Sequence, residues 1–67
     1  MSIRVLLVDD HTIMREGLRL LLEKMPEVEV VGEADNGFQA IELAKSLVPN
    51  VVVVVSVQVL VRLVVVV

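Results

Sequence analysis

Apolar and polar positions follow three successive rhythms along this chain. The first is a short unbroken apolar run. Ile3 to Val8 is β-branched at Ile3, Val5 and Val8, the pattern of a strand buried on both faces, and Asp9 and Asp10 end it abruptly. The second rhythm is helical. From about Thr12 to Met25, the residues Met14, Leu18, Leu21, Leu22 and Met25 recur at the spacing of one helix face. Arg15, Glu16, Arg19, Glu23 and Lys24 fall mainly on the other face, with Arg19 and Glu23 an i,i+4 pair, and Pro26 stops the helix. Gly17 inside it costs about 1 kcal/mol relative to alanine, for which close packing of helix on sheet is the expected reason.

The same alternation then repeats. Val28 to Ala34 predicts a second strand centred on Val30 and Val31, with Gly32 a point of close backbone approach. Asp35-Asn36-Gly37 is a turn signal, and Asn36 with Gln39 three residues on fits a variant of the capping box. A second helix is expected to run to about Leu47, burying Ala40, Ile41, Ala44 and Leu47. Pro49-Asn50 closes it, and a third strand begins at Val51. Strands alternating with helices of this length imply βαβ units, a parallel sheet and right-handed crossovers. The expected architecture is α/β: a βαβαβ unit over residues 1–55, half of a doubly wound domain truncated after its third strand.

The third rhythm is nearly monotonous. Residues 51–67 hold twelve valines, broken only by Ser56, Gln58, Leu60, Arg62 and Leu63. As one strand this stretch would reach roughly 56 Å at ~3.3 Å per residue, against a radius of gyration of about 11 Å for a compact chain of this length. Either the chain turns after Val55 or the excess pairs with another molecule. As a helix it would be about 26 Å long, slightly short of a bilayer core of ~30 Å. Ser56, Gln58 and Arg62 all occupy even positions, which favours an extended 56–67 over a membrane-inserted helix.

Composition narrows the function classes. A net charge of −3 without a basic stripe, and a single aromatic residue, argue against a nucleic-acid surface. The absence of cysteine removes disulfides and thiolate metal sites. Only four apolar residues, Val5 to Val8, follow Arg4, too few for the core of an export signal. Three glycines form no phosphate-binding loop.

The candidate chemistry sits at Asp9 and Asp10. In open parallel α/β sheets, ligands bind beyond the carboxyl ends of the strands. Two adjacent carboxylates there suit a hard cation such as Mg²⁺. The alternative is that one caps the first helix and the other is solvated. His11 beside them is expected to be an exposed residue at the helix start.

Arg4-Val5-Leu6-Leu7-Val8-Asp9-Asp10-His11, then Met14-Arg15-Glu16-Gly17-Leu18, resembles the opening of response-regulator receiver domains. The resemblance is greatest to the NarL/FixJ type, which carries a LuxR-type helix-turn-helix output domain. Val30 to Gly37, Ala40 to Ala44, and Pro49-Asn50 leading into Val51 to Val54 continue it. It implies a flavodoxin-like fold with strand order 2-1-3-4-5, of which this chain would hold 2-1-3. It also implies Mg²⁺ on the acid pair, carried here by Asp9 and Asp10, and an aspartate ending the third strand that accepts a phosphoryl group from a histidine kinase. By register from Pro49 the acceptor position is 55, which is valine, and no Asp or Glu follows Glu42. The Thr or Ser and the Lys that complete the family's site would lie beyond Val67. Ser56 lacks an activating base and Arg62 is out of position.

The expectation is therefore a cytoplasmic receiver fragment from a two-component phosphorelay whose parent family regulates transcription. It would bind Mg²⁺ weakly, perform no phosphotransfer or other catalysis, and make no direct contact with DNA. The competing expectation is a self-associating module that pairs through residues 51–67 at an exposed third-strand edge.

Overall fold

A computed structural model describes residues 2–55 and the strand Arg62–Val65. The elements follow the order β1 (Ile3–Asp9), α1 (Thr12–Glu23), β2 (Val28–Ala34), α2 (Gly37–Leu47), β3 (Val51–Val55) and β4 (Arg62–Val65). They form one four-stranded sheet in the order β2-β1-β3-β4. β1 is central and parallel to both β2 and β3, the 2-1-3 arrangement that the alternating pattern implies. The sheet does not stop there. β4 runs antiparallel to β3, with Val51 opposite Val65 and Val54 opposite Arg62, so among the described residues β4 rather than β3 lies at that edge. Residues 51–55 and 62–65 are thus strands of one sheet and not parts of a membrane helix. Among the described residues no helix is long and apolar enough to cross a membrane.

The core is built on β1. Leu6 and Leu7 are fully buried, and Val5, Val8, Ala34 and Val55 nearly so. On one side of the sheet Leu6, Val8 and Ala34 pack with Ala40, Leu43 and Ala44 of α2 and with Val52 and Val54 of β3. Leu43 takes the inward place expected of Ile41, which is exposed. A Cβ on Gly32 would lie 2.7 Å from Leu47 Cδ1 and 3.4 Å from Leu6 Cδ1, so the predicted close approach is real. The β1–β2 register slips at the same place: Val5 faces Val30 but Leu6 faces Gly32.

The first helix departs further from its expected orientation. Leu18, Leu22, Arg15 and Arg19 are half-buried, whereas Met14, Leu20, Leu21 and Met25 are exposed. The inward turn is set by Glu33 of β2, which draws both guanidinium groups toward the sheet: Arg15 Nε lies 3.2 Å from its Oε1 and Arg19 Nε 3.8 Å from its Oε2. Neither nitrogen donates a hydrogen bond among the described residues, so the contacts are ionic. Arg19 also keeps its Glu23 partner at 3.9 Å. Gly17 has nothing within 4 Å of a built Cβ, so close packing does not explain it.

Caps and ladder ends fix the register. Asn36 Oδ1 accepts from Gln39 N–H at 2.9 Å, the cap expected at α2, while Gln39 Oε1 accepts from Asp35 N–H at 2.9 Å, one residue before the N-cap that a capping box would reach. Such a cap contributes about 1 kcal/mol. At the start of β3, Asn50 Oδ1 accepts from Arg4 N–H while Asn50 N–H donates to the Arg4 carbonyl, both at 2.9 Å. From that clamp the parallel ladder runs pair by pair from Val5 opposite Val51 to Asp9 opposite Val55.

Candidate metal centre

β1 delivers its last residue to the carboxyl end of the sheet and the chain turns there into α1. Asp9 is only 1% exposed, the one buried charged residue among those described. Its Oδ1 accepts the His11 N–H at 2.8 Å, closing the turn into the helix. Its carbonyl accepts from Arg15 Nη1 at 3.0 Å, so a side chain one turn into α1 grips the strand end. Its Oδ2 is buried with no hydrogen-bond partner among the described residues. A buried, unpaired carboxylate oxygen is costly unless something positive meets it.

Asp10 and His11 project into solvent beside it, with side chains 61% and 56% exposed. His11 is the N-cap of α1 by backbone position, and its own side chain makes no capping hydrogen bond. Asp9 bonded to the N–H of the N-cap residue and Asp10 in solvent are equally the arrangement of the alternative reading, one acid at the helix start and the other solvated. The His11 Nδ1 stands 3.3 Å from Asp10 Oδ1. One ligand atom from each of Asp9, Asp10 and His11 falls within 4.8 Å of the others. Two carboxylates converging with one unpaired oxygen are a donor set that fits a divalent cation.

Across the ladder from Asp9 stands Val55, 5% exposed, whose side chain is apolar and supplies no oxygen. Arg62 pairs through its backbone with Val54. Ser56 lies outside the described residues. Arg15 and Glu33 are the participants that reading the chain alone missed. The available signal was Arg15's place one turn after His11, which aims a long side chain back at the strand end.

Three parallel strands in the order β2-β1-β3, with an acid pair at the carboxyl end of the middle one, are the arrangement of a receiver-type α/β domain. The model of the response regulator receiver domain matches residues 5–55, and the chain belongs to that family. Over 50 residues it is 50% identical to the transcriptional regulatory protein LiaR of Bacillus subtilis, covering 75% of this chain and 24% of that protein. It is equally identical over 48 residues to the nitrate/nitrite response regulator protein NarL of Escherichia coli, covering 72% and 22%. The response regulator domain of Thermotoga maritima CheB superposes with a TM-score of 0.76 at 42% identity, over 78% of this chain and 39% of that one. The expected NarL/FixJ-type resemblance holds. The chain spans about a quarter of the length of these curated relatives.

Proposed function

We propose that this chain is the metal-binding segment of a cytoplasmic two-component response regulator, with Asp9 and Asp10 holding Mg²⁺ weakly and no phosphoryl group accepted. The observation that carries this reading is the pairing of Asp9 with Val55. At the position where the family places its acceptor, this chain presents a buried alkyl group. Phosphoryl transfer depends almost wholly on positioned charge and a nucleophile, and an isopropyl group supplies neither. Bound Mg²⁺ would add Lewis acidity at the strand end, while Arg15 and the His11 N–H hold Asp9 in place for it. Recognition by a histidine kinase and control of transcription are roles of the whole regulator, to which this segment would contribute its Mg²⁺ site. The segment itself is neither an enzyme nor a direct binder of DNA.

Incubation with acetyl phosphate and Mg²⁺ is expected to leave the intact mass unchanged. A stable phosphoryl adduct on any residue of this chain would overturn the reading.

A second reading, self-association, is favoured by β4. Among the described residues it is an edge strand, and the N–H and C=O groups on the outer side of an edge strand form a template for another strand. The residues around it are valine-rich and nearly uncharged. Pairing of two copies through residues 51–67 would continue the sheet across a two-fold axis. Sedimentation at micromolar concentration is expected to give a dimer or larger species. A monomer at all concentrations excludes this reading and leaves the first intact.

A further inference from the structure

We infer that the junction between α2 and β3 is a strained latch, in which the Arg4 side chain holds Val48 left-handed and so keeps the last turn of α2 closed on the sheet. This junction lies at the end of the sheet opposite the acid pair.

Val48 is the one non-glycine residue with a positive φ among those described, at φ 47° and ψ 62°. Helices often end on a left-handed residue, but it is usually glycine and sometimes asparagine. A side chain branched at Cβ fits that conformation poorly. Pro49 adds to the strain, because a proline ring drives the residue before it toward extended backbone. Burial of the valine does not offset this, since Val48 is 66% exposed.

Strain of this kind persists only where the surroundings fix the backbone from several directions. Four contacts do so here. The Val48 N–H donates to the Ala44 carbonyl at 3.0 Å, and the Val48 carbonyl accepts from Arg4 Nη1 at 3.1 Å. Pro49 is buried, and Asn50 is bonded on both sides to the Arg4 backbone at 2.9 Å. Of the four, only the guanidinium contact depends on a long, flexible side chain. The Asn50 bonds keep β3 in register whether or not that side chain stays.

The latch guards the seat of Leu47. A Cβ on Gly32 would lie 2.7 Å from Leu47 Cδ1, so the last turn of α2 rests directly on β2. Once Arg4 lets go, Val48 relaxes to the extended form that Pro49 favours. That change breaks its bond to Ala44, lifts Leu47 from Gly32 and uncovers the adjoining Leu6 side chain.

The test is a double-mutant cycle of Val48→Gly and Arg4→Met in the full chain, read by urea unfolding and amide hydrogen exchange. Val48→Gly is expected to raise the folding equilibrium constant about fivefold, the relief of one left-handed residue less the extra freedom of glycine in the unfolded chain. In the Arg4→Met background the same change should give less than about twofold, because Val48 has already relaxed there. Arg4→Met alone should speed exchange of the Val48 amide by about tenfold while the β1–β3 ladder keeps its protection. The ¹³C shifts of Val48 should move from left-handed to extended values. No gain from Val48→Gly in wild type would show that the residue is unstrained. An equal gain in both backgrounds would show that Arg4 does not hold the strain, and either result overturns the latch. Should Arg4→Met fail to fold, exchange at residues 45–47 in Val48→Gly decides. It should slow about fivefold relative to β1, and unchanged exchange there also overturns the latch.

Discussion

Val55→Asp is expected to convert this chain into one whose folding depends on a divalent cation. The new carboxylate would replace a buried valine directly across the parallel ladder from Asp9, itself buried, with Asp10 beside it. An uncompensated buried charge costs about 3–5 kcal/mol, a large share of the roughly 3–10 kcal/mol available to a chain of this length. In the presence of a chelator the variant should therefore melt far below wild type or be unfolded. Mg²⁺ would then meet three carboxylates instead of two, and affinity rises with the number of charged ligands. We expect it to bind the variant at least about tenfold more tightly than wild type. By linkage, stability should climb with Mg²⁺ concentration. Thermal melts across a Mg²⁺ series read both effects. A variant as stable as wild type in chelator, with unchanged Mg²⁺ affinity, would show that position 55 does not converge with the acid pair.

Leu6→Ala should produce a loss of similar size for a different reason. Leu6 is 0% exposed and packs with Val8 and Ala34 amid Ala40, Leu43, Ala44, Val52 and Val54, so both helix-to-sheet and strand-to-strand packing meet on it. Deleting a buried leucine costs about 2–5 kcal/mol, through lost transfer free energy and the cavity left behind. Gly32 and three alanines of this neighbourhood bring little side chain with which to fill that cavity. Urea unfolding followed by circular dichroism should show a large fall in midpoint, or no folded baseline at all. Leu20→Ala, at a residue 55% exposed, is the control and should move stability by less than about 0.5 kcal/mol. Equal effects at the two positions would mean that the core does not lie where the structure puts it.

Much of this arrangement is legible in the chain itself. The apolar run Ile3 to Val8 becomes the central strand because only a strand covered on both faces tolerates so little polarity, and Gly32 marks where a helix side chain meets the sheet. Asn36 and Gln39 announce the start of α2, and they cap it as their spacing suggests. The acid pair stands out because two charges end an otherwise apolar strand. What is not legible depends on partners distant in sequence. The inward turn of Arg15 and Arg19 is set by Glu33, on another strand, and an apolar-versus-charged face count cannot see it. Ile41 and Leu43 are near-equivalent by hydropathy, and only the position of α2 over Leu6 and Val8 selects Leu43. The return of β4 onto β3 could not be read from a valine run, because an unvarying pattern carries no register.

That return strand also bears on the order in which the molecule assembles. β1 and β3 begin 48 positions apart and β1 and β2 begin 25 apart, so neither parallel pairing forms until a helix-bearing crossover has been brought round. β3 and β4 are separated only by residues 56–61, and bringing together segments so near in sequence costs far less chain entropy. Contacts near in sequence form early, and long-range pairings form late. The valine strands therefore have the kinetic means to pair before β1 arrives to shield β3. The antiparallel pair would then be the first strand pairing during refolding, and one exposed to a second chain before β1 covers it.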